Sequence, residues 1–441
     1  MRVQILLLII VAFSFAQPTE DLVNYLPGAP DFNYEIYSGY LNVSNETDSK
    51  TIHKKIHYVL VESANDDSDD SPLLIWMNGG PGCSSLLGMF MENGPWIVDD
   101  GETQFKLNPH SWNKRMNVLY IEGPVGVGYS WAFDWKSKKF NDVIASKDFF
   151  SALQAFYKKF PYLADNPLWI SGESYAGIYV PYLAWRIHEF NTNADITKET
   201  KIPFKGILVG NPATHWEYDT YPSYWPMAYM HNLMDTDTYI TLAENKCIKY
   251  FRDVKPAVLN QECILALDDF EENTQRINWY DIYRDNYDAV TLKSRVGKTF
   301  NEDGEPVFYK RGFTMAEYTP WLDHLTDSPY LLGDTLSDYL NQYEVRRELH
   351  VSSRSTGIEA WLACEHDYNW KYYLQPEGSF WIYPLLKAGG YKILVYSGDT
   401  DGAVPTYGTT RWIEDLNWPV KEDWKAWYVH NGNEEDPEEL L

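Results

Sequence analysis

The sequence predicts an α/β fold built on one mostly parallel sheet with helices on both faces. Three observations predict it. Short, fully apolar runs recur between stretches of helical spacing. One such run leads straight into Gly172-Glu173-Ser174 and then into a helical pattern. Another ends in the acidic turn Gly398-Asp399-Thr400-Asp401-Gly402. Short apolar strands alternating with helices are the signature of a parallel sheet covered on both faces.

The elements follow in chain order. Ile56 to Val61 reads as a strand, and Asn65 to Ser71 as an acidic loop. Leu73 to Trp76 reads as a buried strand ending in a Gly-rich turn, and Val118 to Ile121 as another short apolar run. Phe149 to Phe160 has helical spacing. Leu168 to Ser171 is a strand, Tyr175 to Phe190 a helix, and Gly206 to Val209 and Ile393 to Tyr396 are further buried strands. From about Pro212 to Leu349 the chain turns polar, aromatic and helix-leaning, with two cysteines and without a clear buried strand. This stretch reads as a cap insertion, so residues 17–441 form one domain. The insertion is expected over the C-terminal edge of the sheet, where open α/β sheets keep their sites.

Termini and composition narrow the function classes. Met1-Arg2 precedes an almost wholly apolar Ile5 to Phe15, and Ser14 and Ala16 are small residues ahead of Gln17. That is the layout of a secretory signal peptide over residues 1–16, cut after Ala16 and too short to span a bilayer. No later run has the length of a membrane span, so none is expected after cleavage. A formal net charge of −26 argues against nucleic acid and anionic lipid as partners. Aromatic residues reach 16%, which suits ring-lined pockets and an aromatic core equally. Asn42-Val43-Ser44 and Asn45-Glu46-Thr47 are two glycosylation sequons. The four cysteines, Cys83, Cys247, Cys263 and Cys364, fit two disulfides in an oxidising route, with three pairings open. None has metal-site spacing, and neither metal nor cofactor is expected.

Three motifs carry chemistry. In Trp169-Ile170-Ser171-Gly172-Glu173-Ser174-Tyr175-Ala176-Gly177 a strand feeds a sharp turn with small residues on both sides of a serine, which is a nucleophile elbow. In Trp76-Met77-Asn78-Gly79-Gly80-Pro81-Gly82-Cys83-Ser84-Ser85 three glycines after a strand let backbone N–H groups approach a ligand, as oxyanion-hole loops do. Tyr396-Ser397-Gly398-Asp399-Thr400-Asp401-Gly402 sets carboxylates after a late strand, where the orienting acid of a Ser…Asp…His triad belongs.

Together with Leu26-Pro27-Gly28, Tyr37 to Leu41, Asn108 to Ser130, Gly210 to His215 and Tyr396 to Ile413, these motifs resemble the serine carboxypeptidase family of α/β-hydrolases, of the lysosomal or vacuolar cathepsin A type. The resemblance covers nearly the whole chain after residue 16. It implies a serine-type carboxypeptidase that releases C-terminal amino acids from peptides at acidic pH, in a lysosome, a vacuole or outside the cell, and it leaves room for a homodimer. It makes Ser174 the nucleophile and Asp401 the triad acid, and gives the oxyanion hole to the N–H groups of Gly80 and Tyr175. Asn78 and Glu173 would receive the substrate's terminal carboxylate, supported by Trp76 and Glu92. A carboxyl group that binds a carboxylate must share a proton, so Glu173 is expected to have a raised pKa. Leu87 and Met91 would shape the pocket for an apolar terminal residue. The implied disulfides are Cys83–Cys364 and Cys247–Cys263.

The sequence departs from that pattern in one place. The family carries a catalytic His in a Gly-flanked turn near the C-terminus. Here Trp424 to Val429 leads into Asn431-Gly432-Asn433 and an acidic stretch, and His430 is the one histidine after Asp401. It falls too early for the family base, and the final strand and helix that present that base are expected to be missing. Without its base a serine hydroxyl is a poor nucleophile. Two alternatives to the peptidase are therefore a non-catalytic peptide- or protein-binding relative and an acyltransferase on the same scaffold.

Overall fold

The computed structural model describes residues 17–426 apart from 45–52, 66–67, 98–104, 133–138, 195–199, 275–276, 284–295, 301–305, 311–333, 352–359 and 366–369. The segment 1–16, Asn45 and His430 lie outside the described residues. The main sheet contains seven strands in one path: β1 (Ile36–Asn42), β2 (Lys54–Val61), β3 (Leu73–Met77), β4 (Asn117–Ile121), β5 (Leu168–Glu173), β6 (Phe204–Gly210) and β7 (Lys392–Tyr396). Their order is β1-β2-β4-β3-β5-β6-β7, and the short strand Trp131–Ala132 pairs off that path with β2. β1, β2 and β4 run antiparallel, and every pair from β4 to β7 is parallel. The expected α/β architecture is present.

The continuous apolar runs exist because both faces are buried. In β3, Leu73, Ile75 and Met77 enter one core while Leu74 and Trp76 enter the other. The same alternation places Leu119 and Ile121 of β4 opposite Val118 and Tyr120. One face is covered by α1 (Asp142–Lys159) and α2 (Ala176–Asn193), with α8 (Ile382–Ala388) beside them. α1 begins seven residues before the Phe149 expected from spacing. Asn141 caps it, accepting a hydrogen bond from the Ile144 N–H at 2.8 Å. Its first turns hide Asp142, Ser146 and Asp148, which mask the apolar period.

α2 contains Pro181, which has no N–H to give the Gly177 carbonyl one turn earlier. The buried Ser379 hydroxyl supplies that missing donor at 2.5 Å. Ser379→Ala leaves a buried carbonyl unpaired and is expected to lower unfolding free energy by about 1–3 kcal/mol in a urea titration.

Register decides where a site can form. Met77 lies opposite Gly172, Gly210 opposite Glu173, and Gly210 opposite Tyr396. The loops that follow β3, β5, β6 and β7 therefore emerge side by side at the C-terminal edge. Between β6 and β7 the chain leaves the sheet to form α3 (Tyr221–Met230), α4 (Thr236–Glu244), α5 (Gln261–Thr274), a hairpin of Val296–Phe300 with Pro306–Lys310, α6 (Asp334–Leu340) and α7 (Tyr343–Glu348). Among the described residues the hairpin strands pair only with each other. Cys247–Cys263 links the loop after α4 to α5, and Cys83–Cys364 spans 281 residues to tie the Gly-rich loop to the returning chain. After Pro405, α9 (Thr406–Asp415) follows β7. No helix among the described residues is long and apolar enough to cross a membrane.

Candidate active site

Ser174 sits between β5 and α2 with φ +56°, a conformation that costs a non-glycine residue free energy and persists only where its surroundings fix it. They do so from three sides. The Ser174 N–H donates to the Gly210 carbonyl at 3.0 Å, and the Ser174 carbonyl accepts from Gly177 at 2.9 Å and Ala213 at 3.0 Å. A Cβ on Gly172 would lie 2.4 Å from the Met77 carbonyl oxygen and 2.7 Å from the Ala176 Cβ, so the turn excludes larger residues there.

The Gly-rich loop after β3 leans on this elbow. A Cβ on Gly79 would lie 2.5 Å from the Tyr175 nitrogen and 3.0 Å from the Ser174 Cβ. Gly80 follows at φ +106° and Gly82 at φ +108°, which glycine adopts readily. Among the described residues, neither the Gly80 N–H nor the Tyr175 N–H donates a hydrogen bond. Two free N–H groups on touching loops beside a serine are the elements of an oxyanion hole. The loop is pinned beyond Gly80. Ser84 N–H donates to Ala363 and Glu365 N–H to Gly82, both at 2.8 Å, with the Cys83–Cys364 bond between them.

Asn78, buried, gathers the acidic side chains. Its Oδ1 accepts from the Trp76 indole N–H at 2.9 Å and from the Gly88 N–H at 3.0 Å. That fixes the amide, and its Nδ2 donates to Glu92 Oε1 at 2.9 Å and to Glu173 Oε1 at 3.0 Å. Trp76, Asn78, Glu92 and Glu173 thus meet in one cluster, with Glu173 next to Ser174 in sequence. Burial pushes both carboxyls above the ordinary range, and for Glu92 the neighbouring Glu173 charge adds to it. Two carboxyls raised in this way on one amide favour sharing a proton over carrying two adjacent charges. Leu87 is buried, and Met91 is half-buried on the turn that carries Glu92.

The acidic turn lies after β7. Asp401 folds back on its own loop, accepting from Ala403 N–H at 2.9 Å and Val404 N–H at 3.1 Å. Burial pushes it up to about 7, against the pull of those two donors. Asn211, at φ +37°, clamps the turn. It donates to the Gly398 carbonyl at 3.0 Å and accepts from the Gly398 N–H at 3.0 Å. Among the described residues no histidine hydrogen-bonds to Ser174 or Asp401. His57 faces Ser38 and Glu122, His188 faces Tyr391, and His231 faces Tyr283.

Sequence reasoning missed Tyr280. The segment Trp279–Ile282 descends from the excursion onto the acidic turn, with Gly402 N–H donating to Trp279 at 2.7 Å and Ile282 N–H to Thr400 at 3.0 Å. Burial raises the Tyr280 hydroxyl pKa, and the charges of Asp401 and Glu173 within its reach add to that. Nothing local in Asn278-Trp279-Tyr280-Asp281 marks it out from the other tyrosines nearby.

At the end of β1, Asn42 is exposed, and its Oδ1 accepts from the Ser44 N–H at 3.1 Å. The serine carboxypeptidase family model matches residues 27–438. The lysosomal protective protein of Mus musculus is 32% identical over 95% of this chain and 85% of its own length. Serine carboxypeptidase-like 32 of Arabidopsis thaliana is 30% identical over 97% of this chain and 88% of its own. The crystal structure of a prohormone-processing carboxypeptidase of Saccharomyces cerevisiae superposes with a TM-score of 0.71 at 22% identity, over 96% of this chain and 88% of that one.

Proposed function

This chain belongs to the serine carboxypeptidase family, and from that premise we propose that it removes C-terminal amino acids from peptides at acidic pH through an acyl-enzyme on Ser174. The observation that carries the reading is the Asn78 amide held between Glu92 and Glu173 beside the Ser174 elbow. A peptide's terminal carboxylate displaces one glutamate oxygen from the Asn78 Nδ2 donors, accepts that N–H hydrogen bond in its place, and shares a proton with the glutamates. This seats the last peptide bond against Ser174. The Ser174 Oγ then attacks the carbonyl carbon. The developing oxyanion accepts from the Gly80 and Tyr175 N–H groups, the terminal amino acid leaves, and water cleaves the ester. Asp401 would orient the base that takes the serine proton. In the resembled family that base is a histidine, and the described residues do not supply it. The name of one relative, the lysosomal protective protein, agrees with a protein of the secretory pathway.

The test is amino-acid release from an N-blocked dipeptide with an apolar C-terminal residue at pH 5, set against its C-terminal amide. The free acid is expected to be preferred by about two orders of magnitude, because the amide leaves the Asn78 and Glu173 groups without their charged partner. Equal rates on both would overturn the carboxylate site. Saturable binding of the dipeptide without turnover favours the second reading, a protein that captures peptide C-termini. Transfer of the acyl group to an alcohol without hydrolysis would identify an acyltransferase.

A further inference from the structure

A buried carboxylate outside the cluster above touches the elbow from behind. Asp142, the first residue of α1, is 1% exposed. Its Oδ1 accepts from the Tyr175 hydroxyl at 2.7 Å and from the Tyr372 hydroxyl at 2.7 Å, and its Oδ2 accepts from the Gln375 N–H at 2.7 Å. Three donors from three separate residues converge on this one buried carboxyl and fix its place against them. We propose that Asp142 is a positioning residue that sets the orientation of the Tyr175 N–H and its spacing from the Gly80 N–H.

The argument runs along two branches from one side chain. In the first, the Tyr175 ring and the Tyr175 N–H share a Cα. The ring is buried against Tyr179, Trp216 and Tyr372, with centroids 5.2, 6.2 and 5.7 Å away. These apolar contacts hold its plane but allow it to slide along its axis. The hydroxyl bond to Asp142 fixes that depth, and with it the peptide unit that joins Ser174 to Tyr175. In the second branch, Tyr372 and Gln375 belong to the chain that returns after Cys364. Trp370 of that chain stacks on Tyr372 at 5.7 Å and donates its indole N–H to the Val125 carbonyl at 3.2 Å. Its ring edge would be 2.9 Å from a Cβ on Gly82, two residues beyond Gly80. Lys371–Tyr373 also pairs with Lys139–Asn141, which leads directly into Asp142. One carboxylate therefore references both halves of the donor pair to the start of α1. It touches neither Ser174 nor any group assigned to substrate.

The inference rests on the proposed reading for its catalytic consequence, and a second measurement keeps it separate. Tyr175→Phe removes one hydroxyl, and Asp142→Asn keeps the shape while turning one of the two accepting oxygens into an N–H donor. Each is expected to lower kcat about tenfold with KM within twofold, and the double variant to lose no more than the worse single, since the two residues act as one unit. Amide exchange in the peptide covering 172–178 is expected to quicken severalfold in both variants, with the rest of the sheet unchanged. An unaltered exchange rate there in both variants overturns the brace, whatever the activity. Unaltered kcat in folded Tyr175→Phe, or a rise in KM of the same size as the fall in kcat, overturns its catalytic meaning. A parent chain that releases no amino acid removes the proposed function, while the exchange result still decides whether Asp142 holds the elbow.

Discussion

Ser174→Ala is expected to lower kcat for terminal amino-acid release by about 10⁴-fold or more while leaving affinity for an N-blocked dipeptide within twofold. The hydroxyl is the only atom removed. The positive φ of Ser174 is held by hydrogen bonds from its own backbone to Gly210, Gly177 and Ala213, and alanine carries the same Cβ. The fold should tolerate the change, with thermal unfolding within a degree or two of the parent. The carboxylate cluster around Asn78 uses no atom of Ser174, so binding should survive. Rapid-quench kinetics with the parent should show a burst of amine release ahead of acid release, and the burst should vanish in the variant. A variant that keeps turnover would move the nucleophile elsewhere.

The second large effect is on pH. Burial raises the carboxyls of Glu92 and Glu173, so in the folded protein their protonated form persists to higher pH than in the unfolded chain. What depends on that proton is present at low pH and is lost as pH rises through the raised value. For the parent, the ratio of kcat/KM on the free-acid dipeptide to that on its amide should therefore fall with rising pH, by about tenfold per unit beyond that value. Taking the ratio cancels titration of the base. In Glu173→Gln the side chain donates a hydrogen bond at every pH, so the ratio should flatten, and free-acid turnover at pH 8 should exceed the parent's by about tenfold. A parallel decline in both proteins would show that another group sets the slope. The same sign applies to stability. With Asp401 and Asp219 both raised to about 7, the folded state binds more protons than the unfolded one between the ordinary carboxyl range and 7. Unfolding temperature should fall across that window.

How much was legible beforehand followed from where each residue's partner lies. Strands β3, β4 and β5 were readable because burial on both faces demands unbroken apolar runs. β7 carries the same kind of run, but Lys392, Leu394 and Tyr396 are exposed, so among the described residues it is an edge strand and not the buried strand its sequence suggests. The elbow was readable because Gly172 and Ala176 crowd each other within a few residues, although the tightest limit on Gly172 comes from the distant Met77 carbonyl. β1 was quoted for its motif and not for its strand. Ser38 and Gly39 interrupt its apolar character, and Gly39 is small because the Asp21 carboxylate occupies its side-chain space, 2.5 Å from where a Cβ would be. That partner lies across the chain and leaves no mark on spacing. Tyr280 and Asp142 were hidden for the same reason. Each acts through contacts made by distant segments, and each is an ordinary polar residue in its own neighbourhood. The excursion read as helix-leaning holds three helices between Tyr221 and Thr274. Its hairpin escaped notice because two strands that pair only with each other need no long apolar run.

The Cys83–Cys364 bond has a consequence that belongs to topology. It closes a covalent ring whose circumference includes Ser174, the whole excursion and the Cys247–Cys263 link. A single backbone cut anywhere on that ring opens the circle without freeing either piece. The nicked molecule would keep its mass on a non-reducing gel and separate into two bands only after reduction. The ends created by such a cut stay tethered at high effective concentration, so the halves can remain docked. Proteolytic trimming of the excursion could then alter access to the cleft while Ser174, Asn78 and Asp401 stay joined in one particle.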